Sequence, residues 1–283
     1  MENKITINEF ISSIDISCPD ENEFKNLSKV FPINPLKKSP LNYHRGILLY
    51  KLIKKLKPKN ILEIGRAEGY STLSMAQAIV DSNFDGRIYS IDPNPFHTPK
   101  PRITQWDDDN PEKIINLSTK NLWQKFAKKS WIEKIEVFSC TSSQFFKKND
   151  IEFDFFFIDG HHAYESVLHD LHASFLHSKN NSNFLFDDYR ISEGVRKVID
   201  ENVIPNFQYQ IIEDSSRVNG KDPVQNNLVY FSRNSINQSF EKIFPRKNSE
   251  KIISEYMYWQ KRWEIRQKLN KNIPFLKNIK FRK

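Results

Sequence analysis

The stretch from residue 153 to residue 189 restricts the choice of fold more than any other part of the sequence. Residues 153–158 form an almost continuous apolar run, as expected for a strand buried on both faces of a parallel sheet, and Asp159 follows at its carboxyl end. A helical stretch over 163–177 separates this run from a second apolar segment, 184–186. Because such a strand–helix–strand crossover makes its strands parallel, we expect the two strands to lie side by side.

Three carboxylates follow these two strands: Asp159 after the first, and Asp187 with Asp188 after the second. Neighbouring strands lie about 4.8 Å apart, so the three should converge at one edge of the sheet. Close carboxylates repel one another by roughly 4 kcal/mol per pair at a surface-like dielectric, and a divalent cation that prefers oxygen ligands would relieve this repulsion. Alternatively, Asp159 caps the following helix while the other two are solvated loop acids.

A second strand–turn–helix unit begins at residues 60–64 and passes through Gly65 and Gly69. A glycine-bearing turn between a strand and a helix leaves the amino end of that helix open to a polar ligand, as in nucleotide-binding α/β folds. A dinucleotide fingerprint needs glycines at its first, third and sixth positions, but Ala67 and Tyr70 occupy the last two. The turn therefore indicates a nucleotide-like ligand without specifying a dinucleotide.

The next predicted strands carry two further landmarks. Residues 87–92 end in Asp92, and an acid in this place can accept hydrogen bonds from both hydroxyls of a ribose. A third strand over 135–139 is followed by Thr141 and Ser142, which are placed to border an adenine ring. Together with the glycine turn, these residues favour an adenosine-containing ligand.

These landmarks occur in the order of a known family. They are Glu63, Gly65, Gly69, Ser71, Asp92, the segment Ile158–Tyr164 and the segment Phe186–Tyr189. The sequence over 42–231 resembles the class I S-adenosylmethionine-dependent methyltransferases, and within them the macrocin-type sugar O-methyltransferases and, more distantly, catechol O-methyltransferase. The resemblance implies an α/β, Rossmann-like fold with a seven-stranded, mostly parallel sheet and an antiparallel edge. The residue pattern itself predicts two closing strands, 207–212 and 227–231, as an antiparallel pair at the edge of the sheet.

The resemblance also assigns roles to residues. In that family, residues like Glu63, Gly65 and Gly69 shape the methionine end of the cofactor site, and an acid like Asp92 holds the ribose. The expected cofactor-binding residues are Glu63, Gly65, Gly69, Ser71, Asp92, Thr141, Ser142 and Asp159. In the metal-dependent members, Asp159, Asp187 and Asp188 correspond to ligands of magnesium or another divalent cation. Arg66 and Glu68 depart from the family pattern, because they put charge in a turn that is usually small and neutral.

The implied reaction is methyl transfer to a hydroxyl of a small molecule, such as a sugar. His161 and His162 follow Asp159 closely, and a histidine can take the hydroxyl proton at neutral pH. We slightly favour His161 as the base, because metal-dependent sugar enzymes of the family place a candidate base there; alternatively, one or both histidines cap the next helix. Two other functions stay open: metal-free N- or O-methylation, and a non-catalytic cofactor-binding module recruited through a basic tail.

The remaining sequence suggests three regions. Residues 1–41, with several prolines, are expected to form an irregular arm over a domain that spans 42–233. An insertion over about 93–116, which includes the acidic run 107–109, is expected to form a loop or short helices over the site. A helix near 117–129 should follow. Residues 234–283 form a basic, helical C-terminal tail.

The net charge of +8 lies in this tail, because 246–283 holds 12 basic and 3 acidic residues against 31 and 32 elsewhere. An aromatic stripe of Ile252, Tyr256, Trp259 and Trp263 predicts a helix that docks on its own domain or on a second subunit. The alternative is a helix that lies on an anionic lipid surface. A homo-oligomer stays open, and the neutral body gives no reason to expect a nucleic-acid partner.

The cellular setting is expected to be cytoplasmic. The two cysteines are far apart in the sequence and suggest neither a disulfide framework nor a metal site. The first residues lead into no signal segment, and the chain lacks a run of 18 apolar residues.

Overall fold

A computed structural model of the protein describes residues 3–31, 43–103, 114–219, 222–236 and 238–272. The strands are β1 (Lys4–Thr6), β2 (Asn60–Ile64), β3 (Arg87–Ile91), β4 (Lys100–Ile103), β5 (Ile114–Leu117), β6 (Ile135–Phe138), β7 (Phe153–Ile158), β8 (Ser178–Phe186), β9 (Phe207–Asn219) and β10 (Asp222–Ile236). The helices are α1 (Ile7–Ser13), α2 (Glu21–Val30), α3 (Tyr43–Leu56), α4 (Tyr70–Asp81), α5 (Thr119–Phe126), α6 (Lys129–Ile132), α7 (Ser142–Phe146), α8 (Tyr164–Leu176), α9 (Glu193–Asn202), α10 (Phe240–Ile243) and α11 (Arg246–Asn272).

The main sheet has the strand order β1-β9-β10-β8-β7-β2-β3-β6. The strands β8, β7, β2, β3 and β6 are parallel, and β10 pairs antiparallel with both β8 and β9. The expected mostly parallel α/β fold with an antiparallel edge is confirmed, including the side-by-side pairing of β7 and β8. The sheet has eight strands instead of the predicted seven, because β1 adds to the outer edge parallel to β9.

The two faces of β7 show why its sequence is apolar throughout. Phe155 and Phe157 belong to one buried cluster with the inner faces of α3 and α4, and Phe156 and Ile158 belong to a second cluster with α8 and α9. Successive side chains of a strand point to opposite faces, so both faces are covered by helices.

The N-terminal region differs from the predicted irregular arm. Residues 3–31 contain β1, α1 and α2, and each helix begins at a side-chain cap: Thr6 forms a capping box with Glu9, and Asp20 accepts a hydrogen bond from the Asn22 amide. Phe24 is fully buried in the core. The prolines misled the prediction because, within the described part, Pro19 lies between the two helices and interrupts neither.

The insertion also differs from the predicted loop or short helices. On either side of the undescribed residues 104–113, β4 and β5 pair antiparallel as a separate two-stranded sheet. The acidic run 107–109 lies outside the described residues. The helix expected near 117–129 is observed as two shorter helices, α5 and α6.

The described part of the tail contains the helices α10 and α11, as expected. The first part of α11 packs on α8, where Ser249 is fully buried and its Oγ lies 3.0 Å from Nδ1 of His172. No helix within the described residues is long and apolar enough to cross a membrane.

If residues 3–31 are an integral part of the core, Phe24→Ala should lower the free energy of unfolding by about 3–5 kcal/mol. The Phe24 ring is fully buried and packs edge-on against Tyr50 of α3, with the ring centroids 5.6 Å apart. Urea unfolding measures the change. The matched control is Lys29→Ala on the exposed side of the same helix, which should change stability by less than about 0.5 kcal/mol. Equal and small effects of the two substitutions would show that this region is only loosely attached.

Candidate active site

A cavity of about 280 Å³ opens at the carboxyl ends of β2, β3, β7 and β8. Its wall contains most of the residues predicted from the sequence: Gly65, Gly69, Ser71, Asp92, Asp159, His162, Asp187 and Asp188. The fold brings these residues together because parallel strands end at the same edge of the sheet. Glu63, Thr141, Ser142 and His161 do not line it.

The turn between β2 and α4 requires glycine at two positions. Gly65 and Gly69 both have φ of +95°. A Cβ atom on Gly65 would lie 1.9 Å from the carbonyl oxygen of Asp159, and one on Gly69 would lie 2.3 Å from the Trp123 ring. The close approach of these backbones keeps the amino end of α4 open toward the cavity.

Glu63 supports this turn from behind. Its buried carboxylate accepts hydrogen bonds from Ser71 Oγ at 2.6 Å, Thr72 Oγ1 at 2.6 Å and Ser90 Oγ at 2.5 Å. Burial raises the pKa of Glu63, and the three hydroxyl donors oppose that shift. Glu63 therefore joins β2, β3 and the first turn of α4 into one rigid unit.

Asp92 lies on the cavity wall and also holds the turn. Its Oδ2 accepts a hydrogen bond from the Ala67 amide at 2.8 Å, and its Oδ1 accepts one from the Asn94 amide at 2.7 Å. Each carboxylate oxygen has two lone pairs, so both oxygens retain an acceptor site for a ribose hydroxyl.

Glu68 attaches the insertion to the turn. Its carboxylate forms a buried ion pair with Arg102 and a partly exposed one with Lys100 at 2.5 Å. Its backbone oxygen accepts a hydrogen bond from Trp123 Nε1 at 2.8 Å. Glu68 is one of the two charged residues that depart from the family pattern, and its charge is thus paired with the two-stranded sheet of the insertion.

Arg66 is the other charged residue that departs from the family pattern, and within the described residues only part of its guanidinium is hydrogen-bonded. Its side chain is 2% exposed and lines the cavity. Nη2 donates to the Asn94 oxygen at 3.2 Å, and the guanidinium lies 5.1 Å from the centre of the Phe96 ring. Nε and Nη1 have no hydrogen-bond partner among the residues that the structure describes, and burial lowers the pKa of the group. Buried donors without partners are energetically unfavourable, so Arg66 marks a place in the cavity wall where an acceptor atom of a ligand would be stabilising.

The acidic edge of the cavity is organised by Arg45 at the start of α3. Its guanidinium forms ion pairs with Asp187, and with Asp214 of β9 at 2.9 Å. Asp187 Oδ1 also accepts a hydrogen bond from Asn226 Nδ2 at 2.9 Å. Burial raises the pKa of Asp187, while the charge of Arg45 opposes the shift. Sequence reasoning missed Arg45, Asp214 and Asn226, because nothing in the sequence connects these distant positions.

A second group at this edge consists of Asp159, His162 and Asp188. One ligand atom from each lies within 4.8 Å of the others, and His162 Nε2 is 2.9 Å from Asp188 Oδ2 and 3.8 Å from Asp159 Oδ1. Interactions with Asp159 and Asp188 raise the pKa of His162 to about 10. Burial in turn raises the pKa of Asp159.

The remaining predicted residues lie beside the cavity. His161 Nδ1 lies 3.4 Å from the Ala163 amide and 3.2 Å from Ser166 Oγ, at the start of α8. These contacts do not cap α8, which has no side-chain cap, but they hold His161 outside the cavity lining, so the geometry does not support the preference for His161 over His162 as the base. Thr141 caps α7, and Ser142 Oγ donates to Asp170 at 2.5 Å.

The comparison with known proteins is consistent with this site. Residues 62–189 match the family model of a methyltransferase domain, and this range runs from β2 to just beyond the Asp187–Asp188 pair. Residues 62–189 are a class I methyltransferase domain. The expected S-adenosylmethionine-dependent methyltransferase is thereby confirmed. No curated protein sequence matches the chain significantly.

Solved structures share the fold of this methyltransferase at low sequence identity. The O-methyltransferase from Bacillus cereus, in complex with SAH, is 16% identical with a TM-score of 0.50, and the alignment covers 80% of this chain and 96% of that chain. TomG, the O-methyltransferase from Streptomyces achromogenes involved in tomaymycin synthesis, in complex with SAM, is also 16% identical with a TM-score of 0.50, over 80% of this chain and 95% of that chain.

Because two donors of Arg66 are unpaired within the described residues, we expect its replacement to weaken ligand binding but to raise the stability of the ligand-free protein. Arg66→Met should weaken binding of S-adenosylhomocysteine by about 1.5–3 kcal/mol, the typical value of a hydrogen bond to a charged group. It should also raise the stability of the ligand-free protein, because buried donors without partners are removed. Calorimetry and urea unfolding measure the two effects.

The control is Arg87→Met at the exposed start of β3, which should change neither quantity. Unchanged affinity of the Arg66→Met protein would show that Arg66 has only a structural role in the turn.

Proposed function

We propose that this methyltransferase transfers the methyl group of S-adenosylmethionine to a hydroxyl oxygen of a small molecule, with a divalent cation at the acidic edge of its cavity. One observation carries the proposal: a single cavity contains both the glycine turn with Asp92 and the group formed by Asp159, His162 and Asp188. A methyl donor and an activated hydroxyl can therefore be held side by side.

The cofactor half of the cavity fits a nucleoside that carries a charged amino-acid chain. Asp92 offers acceptors for ribose hydroxyls, Arg66 offers two donors, and Gly65 and Gly69 let the backbone approach closely. S-adenosylmethionine, when bound, supplies an electrophilic methyl group on its sulfonium. The contribution of the protein is orientation, since aligning two reactants can be worth about 7–11 kcal/mol.

The donor set of the acidic edge fits a divalent cation. Asp159, Asp187, Asp188 and Asp214 are opposed by Arg45 and, when it is protonated, His162. Carboxylate oxygens suit magnesium, calcium or manganese. A bound cation would supply Lewis acidity, which lowers the pKa of a coordinated hydroxyl.

The structure favours two of the three acids predicted as ligands. Asp159 and Asp188 belong to the group that can hold an ion, whereas both oxygens of Asp187 already interact with Arg45, Asn226 or the Asp188 amide. We therefore assign the ligand role to Asp159 and Asp188, and we assign Asp187 to holding Arg45 and Asn226 in place.

His162 is the side chain placed to take the proton from the acceptor hydroxyl. Its Nε2 faces the cavity edge, but the pKa of about 10 set by Asp159 and Asp188 keeps this nitrogen protonated at neutral pH. Compensation of the two carboxylates by a cation would remove the cause of this shift and return the pKa toward 6.5. Base function at His162 is thus coupled to the charge of its acidic neighbours.

The same contact favours a second candidate function, metal-free methyl transfer to nitrogen or oxygen. Protonated His162 already compensates Asp188 at 2.9 Å, so it can take the place of a cation in the charge balance. In that case His162 would orient the acceptor as a hydrogen-bond donor.

The histidine assignment predicts how two neighbouring substitutions differ. With S-adenosylmethionine carrying a labelled methyl group and a panel of catechol and sugar hydroxyl acceptors, His162→Ala should lower kcat by about 10²–10⁴. His161→Ala should retain most of the activity, because His161 lies beside the cavity at the start of α8. In the active protein, kcat should fall as the pH is lowered through the pKa of His162, and His162→Ala should lose this acidic limb.

Binding of S-adenosylhomocysteine should be similar in both variants, which separates a catalytic loss from a damaged cofactor site. Loss of activity in His161→Ala with retention in His162→Ala would reverse the assignment. If no hydroxyl acceptor is methylated although the cofactor binds, the non-catalytic alternative is favoured.

The metal assignment predicts a shift that can be measured without turnover. Titration with Mg²⁺ alone should lower the pKa of His162, as followed by NMR of the histidine ring. Asp188→Asn should weaken Mg²⁺ binding and also lower this pKa, because one of the two carboxylates that raise it is lost. The control is Asp154→Asn, which removes the partner of Lys179 at the other end of β7. Unchanged titration with Mg²⁺, together with full activity in excess chelator, would establish the metal-free function.

A further inference from the structure

The C-terminal helix α11 is attached to the domain along its first half. Tyr256 OH lies 3.2 Å from Ser166 Oγ, and the Tyr256 ring lies 4.5 Å from the ring of His169 in α8. Gln260 accepts a hydrogen bond from Ser143 Oγ, and within the described residues this is the last hydrogen bond from the helix to the domain. Beyond Gln260 the helix continues to Asn272.

The surface of the helix around and beyond this point is aromatic and exposed. Tyr258 is 57% exposed, Trp259 55%, Trp263 61% and Ile265 49%. The described residues contain one other exposed large apolar side chain, Ile191. Trp259 and Trp263 are four residues apart and therefore lie on the same side of the helix. Exposed aromatic residues at such density indicate an interaction surface.

Basic side chains accompany these rings. The Arg262 guanidinium lies 5.6 Å from the centre of the Tyr258 ring and 5.4 Å from that of Trp259. From Tyr256 to Lys283 the sequence holds 9 basic residues and 1 acidic residue, whereas the other 255 residues hold 34 of each. The whole net charge of the protein is therefore concentrated in this last segment.

We propose that the exposed surface of α11 formed by Tyr258, Trp259, Trp263 and Ile265 is a docking surface for an anionic membrane. Tryptophan and tyrosine prefer the headgroup level of a bilayer, because their rings are apolar and their N–H or O–H groups remain hydrated. Each basic residue near an anionic leaflet raises binding about fivefold. A second copy of the chain is a poorer occupant, since two such segments would repel each other.

The test uses the full-length protein and vesicles of equimolar phosphatidylcholine and phosphatidylserine, with pure phosphatidylcholine vesicles for comparison. The protein should sediment with the anionic vesicles only, and its tryptophan emission should shift to shorter wavelength. The double substitution Trp259→Ser with Trp263→Ser should reduce binding at least tenfold. These side chains are exposed, so binding of S-adenosylhomocysteine should be unchanged. Ile191→Ser is the matched control for loss of an exposed apolar side chain and should bind normally.

Several outcomes would overturn the proposal. Equal binding to both kinds of vesicle would show that the negative charge of the lipid is not recognised. Normal binding of the double variant would show that Trp259 and Trp263 do not contact the membrane. Single-stranded RNA can be added as a competitor. If it binds the wild-type protein more tightly than the vesicles do and displaces the protein from them, the surface binds nucleic acid instead. A concentration-dependent dimer that the double variant abolishes, without vesicle binding, would identify a second copy as the occupant.

Discussion

The ion pairs of Arg45 with Asp187 and Asp214 are the interaction on which the candidate site depends. Both carboxylates are buried, and removal of one partner from such a group typically costs several kcal/mol, because the remaining charge is left without compensation. Arg45 belongs to α3, Asp187 follows β8, and Asp214 lies in β9, so one guanidinium connects three elements that are distant in sequence. The start of α3 is thereby held at the carboxyl edge of the sheet, where the cavity forms.

A second group of charged side chains lies at this edge beside the ion pairs of Arg45. Asp159 and Asp188 share His162 as a counter-charge, and this contact moves the pKa of the imidazole far above neutrality. A histidine in this state is a proton donor. In the function proposed above, it would become a base only when a cation compensates the same carboxylates, which would make metal binding and the role of His162 two aspects of one electrostatic balance.

The cofactor half of the cavity is built in a different way, from backbone geometry supported by buried polar groups. Glu63 uses three hydroxyl donors to fix the glycine turn, and Glu68 attaches the insertion to that turn through Arg102 and Lys100. The two charges that depart from the family pattern therefore have separate consequences. Glu68 contributes to rigidity, whereas Arg66 places two buried donors without partners among the described residues in the cavity wall.

The sequence by itself determined the features that depend on local pattern and chain order. The parallel sheet could be predicted from the apolar run 153–158, the glycine turn and Asp92. The edge at which the acids meet could also be predicted, because the carboxyl ends of parallel strands lie together. Only the tertiary structure decided how the acids are paired. Asp187 pairs with Arg45, and Asp188 pairs with His162, since these contacts depend on the packing of α3 and on the left-handed backbone of Asp188 at φ of 60°. The same holds for the eighth strand: β1 joins the sheet through backbone hydrogen bonds at its edge, which leave no apolar periodicity for a sequence pattern to reveal.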